Sequence, residues 1–299
     1  MELRQLRYFL GVVAAGSFGK AASRLHVAQP ALSRQIQALE HDLGVKLLHR
    51  SARGVEATEA GQKLLEHAEY VLKAADHLRV EVRHLGSEPA GEMVIGMPPS
   101  LAYLVAPELI RRCKSLYPKV SIRLIEALSV FLVDWVELGK IDLAILTVGS
   151  EGDAIERREL AIEELVLCGV PELLPASIQD VRLEDLRGYP IVITHGFLTV
   201  LEPWFASTRV RPTFEMELDS IPILRELIRR GEHCTIVPYS MVHDDAISGK
   251  LRVLPIREPD ITRSIDLARS TRRPKSITME ALGELIAEAV SGIPVRTEA

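Results

Sequence analysis

Gly16-Ser17-Phe18-Gly19-Lys20-Ala21-Ala22-Ser23-Arg24-Leu25-His26-Val27-Ala28-Gln29-Pro30-Ala31-Leu32-Ser33-Arg34-Gln35-Ile36-Gln37-Ala38-Leu39-Glu40 is the stretch whose reading decides the fold of the N-terminal part of the chain. Gly16 ends one helix, and Ser17 accepts backbone hydrogens as the N-cap of the next, over residues 18–25. Ala21 and Ala22 let another helix approach closely, and His26 and Val27 make a turn. Residues 28–40 read as a third helix with Pro30 in the first turn, where a missing N–H costs little. Leu32, Ile36 and Leu39 share its inner face. Gln29, Ser33, Arg34 and Gln37 share its outer face, and side chains of these types reach base edges or phosphates when a helix lies in a major groove.

Upstream, Leu3, Leu6, Phe9, Leu10 and Val13 recur at three- and four-residue steps and define an amphipathic first helix. Downstream, Gly44 closes the third helix. Residues 45–50 and 55–57 then read as short strands around a turn, a wing with Arg53 at its tip, where an arginine enters a narrow minor groove. The expectation is a winged helix-turn-helix over residues 1–57.

The whole chain has 299 residues, 47% hydrophobic and 26% charged, which suits a soluble globular protein of two or three domains. Its net charge of -5 argues against a nucleic-acid partner only on average. Residues 1–60 hold eight Lys and Arg against five Asp and Glu, whereas residues 91–299 hold 24 against 31. No apolar run reaches the ~18 residues a bilayer span needs, and Met1-Glu2-Leu3-Arg4-Gln5 lacks the layout of a signal peptide. A cytoplasmic chain with no membrane partner is expected. Cys113, Cys168 and Cys234 are odd in number and lack ligand spacing, so they read as core residues, with no disulfide, metal or cofactor.

Thr58 caps a further helix, along which Leu64, Ala68, Val71, Ala75, Leu78, Val82 and Leu85 alternate in steps of four and three. That is a coiled-coil seam, and it predicts a dimerising linker helix over residues 58–86, roughly 40 Å long. His77 and His84 lie two turns apart, too far to share a metal ion, and read with His67 as solvated side chains. Gly86-Ser87-Glu88-Pro89-Ala90-Gly91 marks a hinge at residues 87–91.

Beyond it, strands at 93–96, 121–125, 143–146, 166–170, 191–194 and 234–237 alternate with helices such as 101–116 and the closing helix 277–290. This is an α/β pattern, read as an open, mostly parallel sheet. Such sheets bind ligands beyond the carboxyl ends of their strands, where helix N-termini present free N–H groups. Ser100, Ser129 and Thr147 occupy such places, although each hydroxyl equally suits a helix cap or turn.

Gly16-Ser17-Phe18, Ala21-Ala22, Leu25, Gln29-Pro30-Ala31-Leu32-Ser33, Ile36, Leu39-Glu40, Leu43-Gly44 and Thr58-Glu59-Ala60-Gly61 together resemble the N-terminal domain of LysR-type transcriptional regulators. Ala28 stands where the family usually has Ser, and Leu48 where it mostly has Phe. The resemblance implies a bacterial regulator that binds double-stranded promoter DNA as a dimer or tetramer, with Gln29, Pro30, Ser33, Arg34 and Arg53 as DNA contacts. If it activates, RNA polymerase is a further partner. Residues 92–299 are similar to the family's effector-binding domain, which implies two α/β subdomains like those of periplasmic binding proteins, linked by two crossover strands, with subdomain I at 92–162 and 267–299 and subdomain II at 163–266. The resemblance places Ser100, Leu101, Ser129 and Thr147 on one wall of a cleft, and His195, Phe197 and the Asp219-Ser220 segment on the other. His195 suits either pairing with a small organic acid as effector or a neutral ring hydrogen-bonded to a backbone carbonyl. His233 replaces the second Gly of a family Gly-x-Gly and either shapes the pocket or marks a backbone that needs no positive φ. Ala28-Gln29-Pro30 and Pro98-Pro99-Ser100 are similar to the nitrogen-assimilation branch.

Two other function classes fit parts of the sequence. An enzyme fused to a DNA-binding domain lacks support, because no phosphate loop, Gly-x-Ser-x-Gly elbow or metal spacing is present, and no catalytic residue is assigned. A ligand-independent repressor whose rear domain serves assembly differs from an effector-responsive regulator by a ligand-binding test.

Overall fold

The computed structural model describes residues 1–51, 54–83, 88–149, 154–272 and 274–295. The chain forms two compact units, residues 1–87 with 138–140, and residues 88–137 with 141–299.

The first unit holds α1 (Leu3–Ala15), α2 (Phe18–Arg24), α3 (Gln29–Leu43), the antiparallel strands β1 (Leu48–Ser51) and β2 (Gly54–Ala57), and α4 (Glu59–Arg83). Gly16 ends α1 in the left-handed region at φ 62°, which L side chains rarely adopt. Ser17 Oγ then accepts from Lys20 N–H at 3.2 Å to begin α2. Leu6, Phe9 and Val12 of α1 are buried, so the inner stripe takes Val12 rather than Val13. Leu32, Ile36 and Leu39 of α3 are fully buried with Phe9, Phe18 and Ala21.

Glu40 turns inward on the same helix. It accepts from Leu47 N–H at 2.9 Å, Leu48 N–H at 3.3 Å and Lys46 Nζ at 2.9 Å. Burial alone would push its pKa up, but those three donors and the Lys46 charge outweigh it and hold the carboxyl below its usual range. Glu40 thereby fastens the start of the wing to α3. Thr58 Oγ1 donates to the Lys46 carbonyl at 2.7 Å and accepts from Gly61 N–H at 3.0 Å, which brings the start of α4 onto the same segment.

The expected seam of α4 divides. Leu64, Ala68 and Val71, together with Leu72, pack on Leu3, Leu6 and Leu10 of α1. The first half of the stripe therefore serves this unit's own core, because α1 presents an apolar edge that needs cover. Leu78 further along is 59% exposed. Arg53, His84, Leu85 and residues 86–87 lie outside the described residues, as do the side chains of His77 and Val82.

The second unit contains β3 (Gly91–Met97), α5 (Pro99–Leu116), β4 (Val120–Glu126), α6 (Ser129–Glu137), β5 (Leu143–Leu146), β6 (Ile155–Gly169), β7 (Val181–Arg182), β8 (Val192–Thr194), α7 (His195–Thr208), β9 (Met216–Leu218) and α8 (Ile221–Arg229). It continues with β10 (Thr235–Pro238), α9 (Tyr239–Ile247), β11 (Arg252–Arg257), β12 (Thr262–Ser270) and α10 (Ile277–Ser291). The main sheet runs β4-β3-β5-β12-β6-β11-β7, with β10 also paired to β6.

This sheet is mixed, which corrects the expectation of a mostly parallel one. β3 pairs in parallel with β4 and β5, but β12 is antiparallel to β5 and β6, and β10 and β11 are antiparallel to β6. β6 and β12 cross side by side from one core to the other. One core gathers Ile95, Leu101, Leu109, Ile145, Leu282 and Ile286, and the other Val166, Ile193, Phe197, Leu201, Ile236 and Leu254.

A Cβ added at Gly61 would meet the Leu47 carbonyl oxygen at 2.1 Å. In an open helix Gly→Ala stabilises by about 1 kcal/mol. Here Gly61→Ala must displace backbone, so it is expected to destabilise the first unit by about 1–3 kcal/mol. Calorimetry comparing the variant with the wild type reads this as a lowered melting temperature, and a raised one contradicts the packing described.

Candidate functional site

Two surfaces carry the polar residues singled out in the sequence. On α3 of the first unit, Gln29, Pro30, Arg34 and Gln37 are exposed and Ser33 is half-buried, all on the face away from Leu32, Ile36 and Leu39. Arg50 of β1 joins them: its Nη1 donates to Ser33 Oγ at 3.4 Å and its guanidinium lies 4.4 Å from the centre of the Phe18 ring. That stacking steadies a cation beside the helix face. Arg50 stands on the wing strand, so no helical period marks it in the sequence.

The second unit contains a cleft of about 980 Å³. Ser100 and Tyr103 of α5, Ser129 of α6 and Thr147 after β5 line one side. Thr194, Phe197 of α7, and Asp219, Ser220, Arg225 and Arg229 at and along α8 line the other, and Arg263 enters from the crossover strand β12. Ser129 Oγ accepts from Thr147 N–H at 3.0 Å and lies 3.2 Å from Thr147 Oγ1. The two hydroxyls are therefore held as a pair at the end of β5. Ser100 Oγ accepts from Arg263 Nη1 at 3.1 Å.

Arg263 is itself anchored. Its Nε donates to Glu163 Oε2 at 2.8 Å, and Ser240 N–H donates to Glu163 Oε1 at 3.1 Å. The side chains of Arg263 and Glu163 are 1% and 0% exposed. A second polar cluster lies along α8, where Asp245 of α9 accepts from Arg225 Nη2 at 3.1 Å and from Arg229 Nη2 at 3.0 Å. Burial would raise the Asp245 pKa, but hydrogen bonds from Arg229 and Arg225 and their charges outweigh it and lower it. Tyr103 donates to the Met241 carbonyl at 3.4 Å, and burial pushes its phenol up to about 12.

Several expected ligand contacts stand elsewhere. Leu101 is fully buried in the core beneath α5 and does not line the cleft. His195 opens α7 next to lining residues Thr194 and Gly196, but its exposed ring turns to Glu217, with Nδ1 2.7 Å from Oε1. His233 is off the lining, 3.4 Å from Glu215 Oε2, and its backbone has no positive φ. Phe197 and Ser220 do line the cleft, and Ser220 Oγ also caps α8 by accepting from Ile223 N–H at 3.4 Å. Cys113, Cys168 and Cys234 are free and buried, and burial raises all three thiol pKa values. Among the described residues no helix is long and apolar enough to cross a membrane.

Known proteins share both parts. Residues 3–62 match the model for bacterial regulatory helix-turn-helix proteins of the lysR family, and residues 86–291 match the LysR substrate binding domain. The nitrogen assimilation regulatory protein nac of Klebsiella aerogenes is 30% identical over 295 residues, 97% of this chain and 96% of that protein. Full-length CbnR complexed with its target DNA superposes with a TM-score of 0.68 at 26% identity, covering 97% of this chain and all of that one. Full-length BenM superposes at 0.60 and 28% identity, with both chains fully covered.

Asp245 yields a pH prediction. A carboxyl whose folded pKa is lowered contributes stability above its unfolded value, near 4, and loses it as pH falls through the folded value. The melting temperature of the wild type is therefore expected to exceed that of Asp245→Asn most at neutral pH, with the difference shrinking below about pH 4. A difference that grows on acidification contradicts the assignment.

Proposed function

The chain belongs to the LysR family of DNA-binding transcriptional regulators, and from that premise we propose that α3 reads promoter DNA while a small organic acid in the cleft of the second unit sets the transcriptional outcome. In this reading residues 1–57 are the DNA-reading domain, 58–86 the linker helix and 92–299 the effector domain. Gln29, Ser33, Arg34, Gln37 and the wing residue Arg53 contact DNA, with Pro30 shaping the start of the helix. Ser100, Ser129 and Thr147, with Phe197 and Ser220 opposite, contact the effector.

The observation that carries the effector half is the convergence of three hydroxyls and a buried guanidinium on one cleft of about 980 Å³. Such a cleft is of the size of small-ligand sites, and hydroxyl and guanidinium donors suit a carboxylate. The DNA half is supported by the exposed Gln29, Arg34 and Gln37, and by a relative of similar structure seen with its target DNA.

Effector binding changes the angle between the two α/β halves of the effector domain, and the linker helix passes that change to the spacing of paired DNA readers. The exposed Leu78 on α4 supplies apolar surface for a dimer, and two dimers make a tetramer. The chain performs no chemistry of its own, needs no cofactor, works in the cytoplasm, and engages RNA polymerase where it activates.

Two tests follow. Arg34→Ala is expected to weaken operator binding roughly 10- to 100-fold, the worth of one good base contact, while light scattering gives an unchanged oligomer mass. Retained affinity would mean that another face reads DNA. A panel of organic acids is expected to raise the melting temperature of the wild type, since a ligand bound 100-fold above its Kd adds about 2.7 kcal/mol to the native state. No response across the panel favours a second unit that serves assembly alone.

A further inference from the structure

We propose that the cleft holds a second anion subsite, formed by Arg225 and Arg229 on α8, so that the effector is an acid carrying two anionic groups. The inference rests on the reading of this cleft as the effector site, and it deepens that reading by naming the ligand class.

Arg225 and Arg229 lie one helical turn apart, and both line the cleft. Their side chains are 30% and 46% exposed, while the Asp245 carboxylate that they share is 7% exposed. One carboxylate thus faces two guanidiniums, and among the described residues one positive charge stays unmatched. Each guanidinium has five N–H donors and gives one terminal nitrogen to Asp245, which leaves donors for a further acceptor. Arg225 is additionally steadied by the Tyr103 ring, 5.7 Å from its guanidinium carbon. Two long cations that would otherwise lose rotamer freedom on binding are therefore already positioned.

The hydroxyl subsite differs in charge. Arg263, which bonds Ser100, is neutralised by Glu163, so that end of the cleft offers hydrogen bonds without net charge. The α8 wall offers charge as well. Other carboxylates share the lining but do not cancel it. Glu226 is bonded to Arg230 at 3.1 Å, and among the described residues neither Glu126 nor Asp219 pairs with Arg225 or Arg229, whose ion-pair partner is Asp245. A volume of about 980 Å³ gives room for one ligand to reach both walls.

The test is isothermal titration calorimetry on the full-length chain. Succinate, glutarate and adipate are compared with butyrate, valerate and hexanoate, and 3-phosphoglycerate distinguishes phosphate from carboxylate as the second anion. At least one two-anion acid is expected to bind roughly tenfold or more tightly than the monoacids. Arg229→Gln and Arg225→Gln are each expected to remove that advantage, so that two-anion and one-anion acids bind alike. Arg229→Lys, which keeps the charge but not the fork, retains part of it, and circular dichroism checks that the variants fold. Equal affinity for the two classes in the wild type, or an advantage that survives in the Arg225→Gln/Arg229→Gln double variant, overturns the inference and leaves the effector reading standing. Absence of binding by either class overturns both.

Discussion

Glu163 and Arg263 meet where β6 and β12 cross from one core of the second unit to the other, with side chains that water scarcely reaches. A buried charge left unpaired costs several kcal/mol, so this pair persists only because the surroundings satisfy it. Arg263 reaches Ser100 at the start of α5, and Glu163 takes the Ser240 N–H at the start of α9. One ion pair thereby ties two crossover strands and two helices, one from each half. It also explains why the region can be open and polar: the halves are held by a buried ion pair and its hydrogen bonds as well as by their separate apolar cores. Breaking a pair of this kind by removing one partner typically costs about 3–5 kcal/mol.

The first unit uses the same device on a smaller scale. Glu40 receives Leu47 and Leu48 N–H groups and Lys46, which holds the approach to the wing against α3. With Leu32, Ile36 and Leu39 committed to the core, the remaining face of α3 is free to carry Gln29, Arg34 and Gln37 to a partner. Arg50 on the wing strand reaches Phe18 of α2 and Ser33 of α3, which ties the wing to both helices.

What was legible in the sequence is what local chemistry determines. Gly16, Ser17 and Pro30 punctuate the helices by backbone geometry, and each marks a helix boundary in the structure. Ser129 and Thr147 were legible because they stand where a helix starts and a strand ends. The two crossover strands were implied by the family resemblance, but their antiparallel pairing was not legible. β12 reads Thr262-Arg263-Ser264-Ile265-Asp266-Leu267-Ala268-Arg269-Ser270, too polar to register as a strand until β6 lies beside it. Arg225 and Arg229 at one-turn spacing look like any solvated helix face, and only Asp245, 16 residues or more away in sequence, makes them a cluster. The stripe on α4 was legible, but periodicity does not say which of its residues also pack on α1.

The central claim is that the cleft and the α3 face are energetically coupled, and linkage tests it most directly. With an effector chosen by screening, operator affinity is measured by fluorescence anisotropy with and without saturating effector, and effector affinity with and without saturating operator. The account predicts that both affinities change by the same factor, of order 5- to 150-fold, with a changed footprint length or bend. A factor of one in both directions, with an identical footprint, would contradict it.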